Sequence, residues 1–305
     1  MKWSFSSHKA FRRCQRQWFF RNVIANACAK DPLRREAHRL SKLLTVWSWR
    51  GRIVDSVLSE SVIPQLACGK EIPVDLALQH ARRLFEEQRA QGLSGSRASN
   101  GASVGFVEVA NGLGLTDETF AKAWKDIEIS IRSFYENKPL IDDIAQARRV
   151  VTQRPLSFNY DGAAVCAVPD VICFYDGRPP FIIDWKVNTA PIHDFWLQLA
   201  TYAIALTRCN PHRDWPPLPV GMDPTAVRLA EVQLLANSTR GHTVTDDDVD
   251  EITDLIYWSF DEMRLACCGK PDARVLQAQD FLTAYDPSSC RTCAFQKLCS
   301  GGGEL

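Results

Sequence analysis

Two aspartates and a lysine interrupt the apolar segments on either side of a DGRPP turn: residues 168–186 read VPDVICFYDGRPPFIIDWK. Asp170 sits among Val, Ile, Cys and Phe, and Asp184 and Lys186 close the next apolar segment. Strand alternation puts Asp184 and Lys186 on one face and Trp185 on the other. The DG turn signal at 176–177 predicts a hairpin, which brings Asp170 beside Asp184. Charged groups in such a place are costly unless they are paired or hold a metal. Two carboxylates suit Mg2+ or Mn2+, hard cations that take oxygen ligands and keep waters. A neighbouring ammonium can position an attacking water and stabilise charge on a phosphate. The alternative reading of Lys186 is a plain ion pair at a strand end. Gln198 and Tyr202 follow on a predicted helix, four apart and so on one face, which can point back at these groups.

A second constellation lies near the C-terminus. Cys290, Cys293 and Cys299 form C-x2-C-x5-C, three thiolates where a closed tetrahedral site or cluster needs four. The opening MKWSFSSHKAFRRC is charged and has no apolar core of a signal peptide, and no apolar run reaches membrane length. The expectation is therefore a cytoplasmic protein with no membrane contact, whose eleven cysteines are reduced core thiols or metal ligands. Cys166 and Cys173, in an apolar strand, read as small core residues.

The elements that must position these groups divide at about residue 145. Before it, the sequence predicts helices. One follows an N-cap at Ser6 or Ser7, with Phe11, Cys14 and Trp18 on one stripe. A second covers 35–62, ended by Pro64. A third runs over 74–91, stopped at Gly92, and a fourth from the Thr116 cap to about 137, with Ile127, Ile131 and Phe134 inward. Residues 92–115, rich in Gly, Ser and Asn, read as a long mobile loop. After 145 the segments RRVVTQRPLSFNY, AAVCAVPDVICFY and PFIIDWKV are β-branched and aromatic, predicting three antiparallel strands. A helix at 191–208, a strand in TAVRLAEVQLLAN and a helix over 245–268 complete a mixed α/β core with an N-terminal helical part.

Lys and Arg balance Asp and Glu at 36 each, yet residues 1–52 carry thirteen basic residues against Asp31 and Glu36. That end is a candidate surface for a phosphate backbone, or a set of solvated helix faces.

P-D…D-x-K followed by Q-L-x-x-Y-A resembles the PD-(D/E)XK nucleases of the RecB type. The start SFSSHKAFRRCQRQWFF is similar to the opening motif of that group. The likeness covers residues 4–24, 50–58, 168–206 and 287–299. It implies a restriction-endonuclease-like core, a central mixed sheet flanked by helices, and hydrolysis of nucleic-acid phosphodiesters. Asp170 and Asp184 would hold Mg2+ or Mn2+ with the backbone carbonyl of Trp185, Lys186 would work on the water, and Gln198 and Tyr202 would support the site or touch DNA. Relatives carry a histidine ligand one turn after an R-G pair. Here WRGRIVDSVLSE has Asp55 there, either a cation ligand or an ordinary polar helix residue. The subgroup that includes AddB and the CRISPR-associated RecB-like exonucleases joins one N-terminal cysteine to three C-terminal ones. That layout implies a [4Fe–4S] cluster on Cys14, Cys290, Cys293 and Cys299, stapling the N-terminal helix to the core, with zinc on the same thiolates as the alternative.

The expectation is thus a single nuclease domain over 1–305, with a helical part (1–145), a catalytic core (146–270) and a C-terminal cysteine segment (271–305). Its implied partners are DNA, single-stranded or with ends, and proteins of a repair or defence complex. The competing function is a non-cleaving nucleic-acid-binding or assembly subunit of the same fold; an RNA nuclease is a third reading.

Overall fold

The computed structural model describes residues 1–94, 104–188, 193–216, 218, 221–267 and 276–300. The chain divides into two compact units: residues 1–49, 86–120 and 256–305 form one, and 50–85 with 121–255 form the other. In order, the elements are β1 (Lys2–Trp3), α1 (Phe5–Arg13), α2 (Gln15–Trp18), α3 (Pro32–Ser41), α4 (Val46–Val57), α5 (Ile63–Leu66), α6 (Val74–Ser94), α7 (Val107–Ala110), α8 (Asp117–Glu136) and α9 (Lys138–Ala145). Then come β2 (Arg149–Thr152), β3 (Leu156–Tyr160), β4 (Ala163–Ala167), β5 (Val171–Phe174), β6 (Phe181–Lys186), α10 (His193–Arg208), β7 (Arg228–Gln233), β8 (Ser238–His242), α11 (Asp246–Ala266), α12 (Ser288–Arg291) and α13 (Gln296–Ser300).

The unit built from 50–85 and 121–255 carries a mixed five-stranded sheet in the order β2-β5-β6-β7-β8. Only the β6–β7 pair is parallel, because α10 lies between those strands in the chain and carries it back to the same end. Strand β5 is buried throughout and β6 is buried as far as Trp185. A central strand covered on both faces needs a continuous apolar run, and VICF and FII supply it. Helix α10 packs on β6, β7 and the hairpin β3–β4. That hairpin turns at Asp161 and Gly162, both with positive φ, as the DG signal requires. From α8, Ile127, Ile131 and Phe134 are fully buried, as their spacing predicts. This is the expected α/β architecture of a mixed sheet flanked by helices.

The other unit owes its core to aromatic residues. Trp18, Phe19 and Phe20 are buried side by side, and Phe281 and Phe295 meet them. Phe19 stacks on Phe281 at 4.4 Å and Phe20 on Phe295 at 5.5 Å. Residues Phe19–Ile24 form a π-helical stretch, whose wider turn lets two adjacent phenylalanines both face inward.

Several local expectations are corrected. The first cap is Ser4, whose hydroxyl accepts from Ser7 N, so α1 starts earlier than Ser6 or Ser7 implies. Cys14 does not continue that helix: at φ −164° it is extended, ending α1 and capping α2. The helix read over 35–62 is α3, α4 and a π-helical stretch Leu58–Val62, and Pro64 begins α5 rather than ending a helix. Gly92 does not stop α6, which runs to Ser94. A Cβ there would lie 2.3 Å from the Phe106 ring, so glycine permits a close approach instead. The long loop shrinks accordingly: Phe106 bridges to Leu44 and α7 follows, while 95–103 lie outside the described residues. RRVVTQRPLSFNY and AAVCAVPDVICFY each supply two strands, and β8 is an additional one.

Candidate active site and cysteine site

The register of β5 against β6 pairs Val171 with Ile183, which sets Asp170 at the end of β5 beside Asp184. Asp170 Oδ2 accepts from the Trp185 backbone N–H at 3.0 Å. Asp184 is 2% exposed, whereas Asp170 and Asp55 are partly open. Lys186 forms an ion pair with Asp184 and donates to Gln198 Oε1 at 3.2 Å. Gln198 Nε2 donates to Asp184 Oδ1 at 3.4 Å and to the Tyr202 hydroxyl. The face of α10 that bears Gln198 and Tyr202 therefore covers the polar end of β6, as their four-residue spacing allows. Asp55, from α4, joins the group: its Oδ1 accepts from the Trp185 indole N–H at 3.3 Å. The sequence-predicted residues Asp55, Asp170, Asp184, Trp185, Lys186, Gln198 and Tyr202 are thus one cluster.

The electrostatics follow from crowding acids in a poorly hydrated place. Burial raises Asp170 well above the ordinary carboxylate range, and the Asp184 charge raises it further. Burial also raises Asp184, against the opposing pull of Lys186. Asp55 is raised by burial despite the Trp185 and Gln153 hydrogen bonds. For Lys186, burial works against the charged form, but Asp184 and Asp170 outweigh it and its pKa goes up. Tyr202 is raised well above its usual value by burial and then by Asp184 and Asp170, so it stays a hydroxyl.

Three residues that sequence reasoning missed complete the cluster. Gln153 Nε2 donates to both Asp55 Oδ1, at 2.8 Å, and Asp170 Oδ1, at 2.9 Å. Glu231, fully buried, lies opposite Asp184 in the β6–β7 register; its Oε2 lies 3.4 Å from His242 Nε2, and Gln233 donates to its Oε1. Arg50, buried in α4, pairs with Asp126 and donates to the Val187 carbonyl, which fixes the chain just after Lys186. Glu231 carried the same signal as Asp184, a charge inside an apolar strand; Gln153 carried none.

The donor set fits a hard divalent cation. After burial, Asp184 raises both Asp170 and Asp55, Glu231 raises Asp184, and Lys186 is the cation that opposes the rise at Asp170 and Asp184. Among the described residues, no three His, Cys, Asp or Glu side chains close on one ion-sized position. Mg2+ does not require such a cage, since it keeps waters and takes one or two carboxylates. Asp170 and Asp184 are the residues placed to hold it, with Asp55 adjacent.

In the other unit, Cys14, Cys290, Cys293 and Cys299 line one cavity of about 230 Å3, together with Arg16, Gln17, Phe20 and Phe295. Cys14 Sγ accepts from the Gln17 backbone N–H at 3.4 Å, Cys293 Sγ from the Gln17 amide at 3.6 Å, and Cys299 Sγ from the Arg16 guanidinium at 3.6 Å. Burial raises the Cys293 thiol, and the other three sulfurs raise it further. Asn111 Nδ2 ties down the loop between these cysteines by donating to the Arg291 and Cys293 carbonyls. The four cysteines expected from the two ends of the sequence thus share one cavity, although among the described residues no three of them close on one ion-sized position.

A model of the PD-(D/E)XK nuclease superfamily matches residues 2–300. The chain belongs to that superfamily. It is a nuclease by family, and its relatives generally use Mg2+ or Mn2+. Among solved structures, this PD-(D/E)XK protein is similar to one from Eubacterium rectale described as "Putative exonuclease", at 12% identity and TM-score 0.47, covering 100% of this chain and 89% of that one. It is also similar to the structure of SSO0001, at 12% identity and TM-score 0.31, covering 73% of this chain and 96% of that one. A search of curated proteins returns no match. No helix among the described residues is long and apolar enough to cross a membrane.

Proposed function

We propose that this nuclease is a divalent-cation-dependent deoxyribonuclease acting on single strands or DNA ends, with a structural [4Fe–4S] cluster held by Cys14, Cys290, Cys293 and Cys299. The observation that carries the catalytic part is the adjacency of Asp170 and Asp184, with Lys186 held between Asp184 and Gln198. Bound there, a divalent cation supplies Lewis acidity toward a phosphate oxygen and a more acidic water. Lys186, charged at neutral pH, acts as a hydrogen-bond donor and counter-charge to the phosphate rather than as a base. Gln198 fixes the direction of that ammonium, and Tyr202, hydrogen-bonded to Asp184, fixes the carboxylate. Arg50 anchors the strand end through Val187.

The cluster reading rests on the cavity and its donors. Four thiolates around one zinc ion stand about 2.3 Å from it, so their sulfurs nearly touch. The cavity of about 230 Å3 that the four cysteines line with seven other residues leaves room for a larger inorganic group. N–H donors aimed at sulfur are what a thiolate-bound cluster uses to set its charge and potential.

The test is cleavage of labelled single-stranded DNA, linear duplex, closed circular duplex and RNA, with Mg2+ or Mn2+ and with chelator. The expected result is cation-dependent product from single strands and linear duplex, with Asp184→Asn inactive. Cleavage of RNA alone would overturn the DNA assignment. A folded, cation-loaded protein that cuts none of them would favour the non-cleaving subunit. Iron and sulfide analysis of anaerobically purified protein tests the cluster; zinc in their place would overturn it.

A further inference from the structure

Gln153 stands out in the carboxylate cluster because one neutral side chain joins two of its acids. Its amide nitrogen has two hydrogens, and each goes to a different carboxylate, Asp55 Oδ1 at 2.8 Å and Asp170 Oδ1 at 2.9 Å. In their ionised form both partners only accept, which sets the nitrogen rather than the oxygen toward them. The backbone is bent to deliver it: Gln153 has φ +49°, a left-handed conformation that favours glycine, and its N–H donates to the Asp170 carbonyl at 3.0 Å. The same Asp55 oxygen also takes the Trp185 indole N–H, and the other Asp170 oxygen takes the Trp185 backbone N–H.

We propose that Gln153 is a positioning residue that serves as a removable stand-in for the divalent cation, holding Asp55 and Asp170 ready in its absence and competing with it. This rests on the reading of Asp170 as a cation ligand. An amide nitrogen holds its oxygens at 2.8–2.9 Å. Mg2+ draws its ligands to about 2.0–2.1 Å. One position between the two carboxylates cannot serve both. The amide must release Asp55 and Asp170 before they can turn to a cation, and the neutral group softens their mutual repulsion until then. The metal affinity of the site is thereby set below what its carboxylates alone would give.

The test is direct Mn2+ titration of the intact protein, read as free-ion electron paramagnetic resonance, for the parent, Gln153→Gly, Gln153→Met and Asp170→Asn. Glycine removes the donor and suits the left-handed backbone; methionine keeps the length and backbone cost and removes the donor. Both are expected to bind Mn2+ more tightly, on the order of tenfold, because hydrogen bonds to charged groups are no longer forfeited on binding. Both should also show a larger Mn2+-induced rise in melting temperature than the parent. Unchanged or weaker binding in the variants that fold overturns the stand-in, since a glutamine that ligates through its oxygen would weaken binding when removed. If the parent shows no Mn2+ binding that Asp170→Asn abolishes, the ligand reading itself fails.

Discussion

In the carboxylate pocket, Asp55, Asp170 and Asp184 accept hydrogen bonds from Gln153, Trp185 and Gln198, and Lys186 pairs with Asp184. In the cysteine site, four sulfurs line an open space and meet few donors, two of them from Gln17. On the proposal above, the first arrangement exchanges hydrogen-bond partners when it takes a cation. The second has its partners around a volume that protein atoms do not fill. A cation that comes and goes with substrate suits a pocket with interim hydrogen bonds. A permanent structural group suits a site whose ligands come from distant parts of the chain.

Breaking the first site should cost chemistry most. Lys186→Ala is expected to lower cleavage by about 10²–10³-fold, the scale of one lost electrostatic donor. It also leaves Asp184 buried without its counter-ion, a loss of roughly 3–5 kcal/mol in chemical denaturation. Iron content should not change; if it falls, the two sites are not independent. Breaking the second should cost stability first. Cys14→Ser is expected to lose iron and destabilise by about 4 kcal/mol or more, the class of effect that follows loss of a metal site. An unchanged melting temperature and colour would remove Cys14 from the ligand set. Phe281→Ala, which removes the ring stacked on Phe19, should cost about 3–5 kcal/mol while leaving the four thiols present. Retained iron in that variant would separate packing from ligation.

A smaller effect follows from pH. Asp170, Asp184 and Asp55 all have raised pKa values when folded. Between the unfolded and folded values the native state binds more protons, so their contribution to stability falls as pH rises through that window. A cation replaces those protons. The Mg2+-induced gain in melting temperature should therefore grow as pH rises above the ordinary carboxylate range, and a gain independent of pH would break the assignment. The smallest effect is expected for Gln17→Leu, which removes one N–H from Cys293 Sγ: a shifted cluster potential with cleavage unchanged.

The strand pair that carries Asp170 and Asp184 was legible because a period-two pattern, apolar flanking segments and a turn signal agree at residues 168–186. Gln198 and Tyr202 followed from helical spacing. Gln153 was not legible: nothing in TQRP marks a non-glycine residue for positive φ, and its partners lie in α4 and at the start of β5. Strand β8, STRGH, is exposed along most of its length and so lacks the alternation that betrays a half-buried strand. Gly92 misled because glycine was read as a breaker, when its use here is to admit the Phe106 ring. Cys14 was assigned to a helical stripe, although its backbone is extended between two helices and it lines one cavity with Cys293 and Cys299.

The pairing of the earliest residues with the latest also bears on synthesis. Arg16 reaches Cys299 across 283 positions, and Phe19 waits for Phe281. At about 5–20 residues per second, Cys14 is made roughly 15–55 s before its last partner sulfur leaves the ribosome. Through that interval Trp18, Phe19 and Phe20 have nothing to bury against from the C-terminal segment, while the sheet that carries Asp170 and Asp184 is already translated. A chain cut short before Cys290 would carry the strands that bear Asp170 and Asp184 without three of the four cysteines of the proposed cluster.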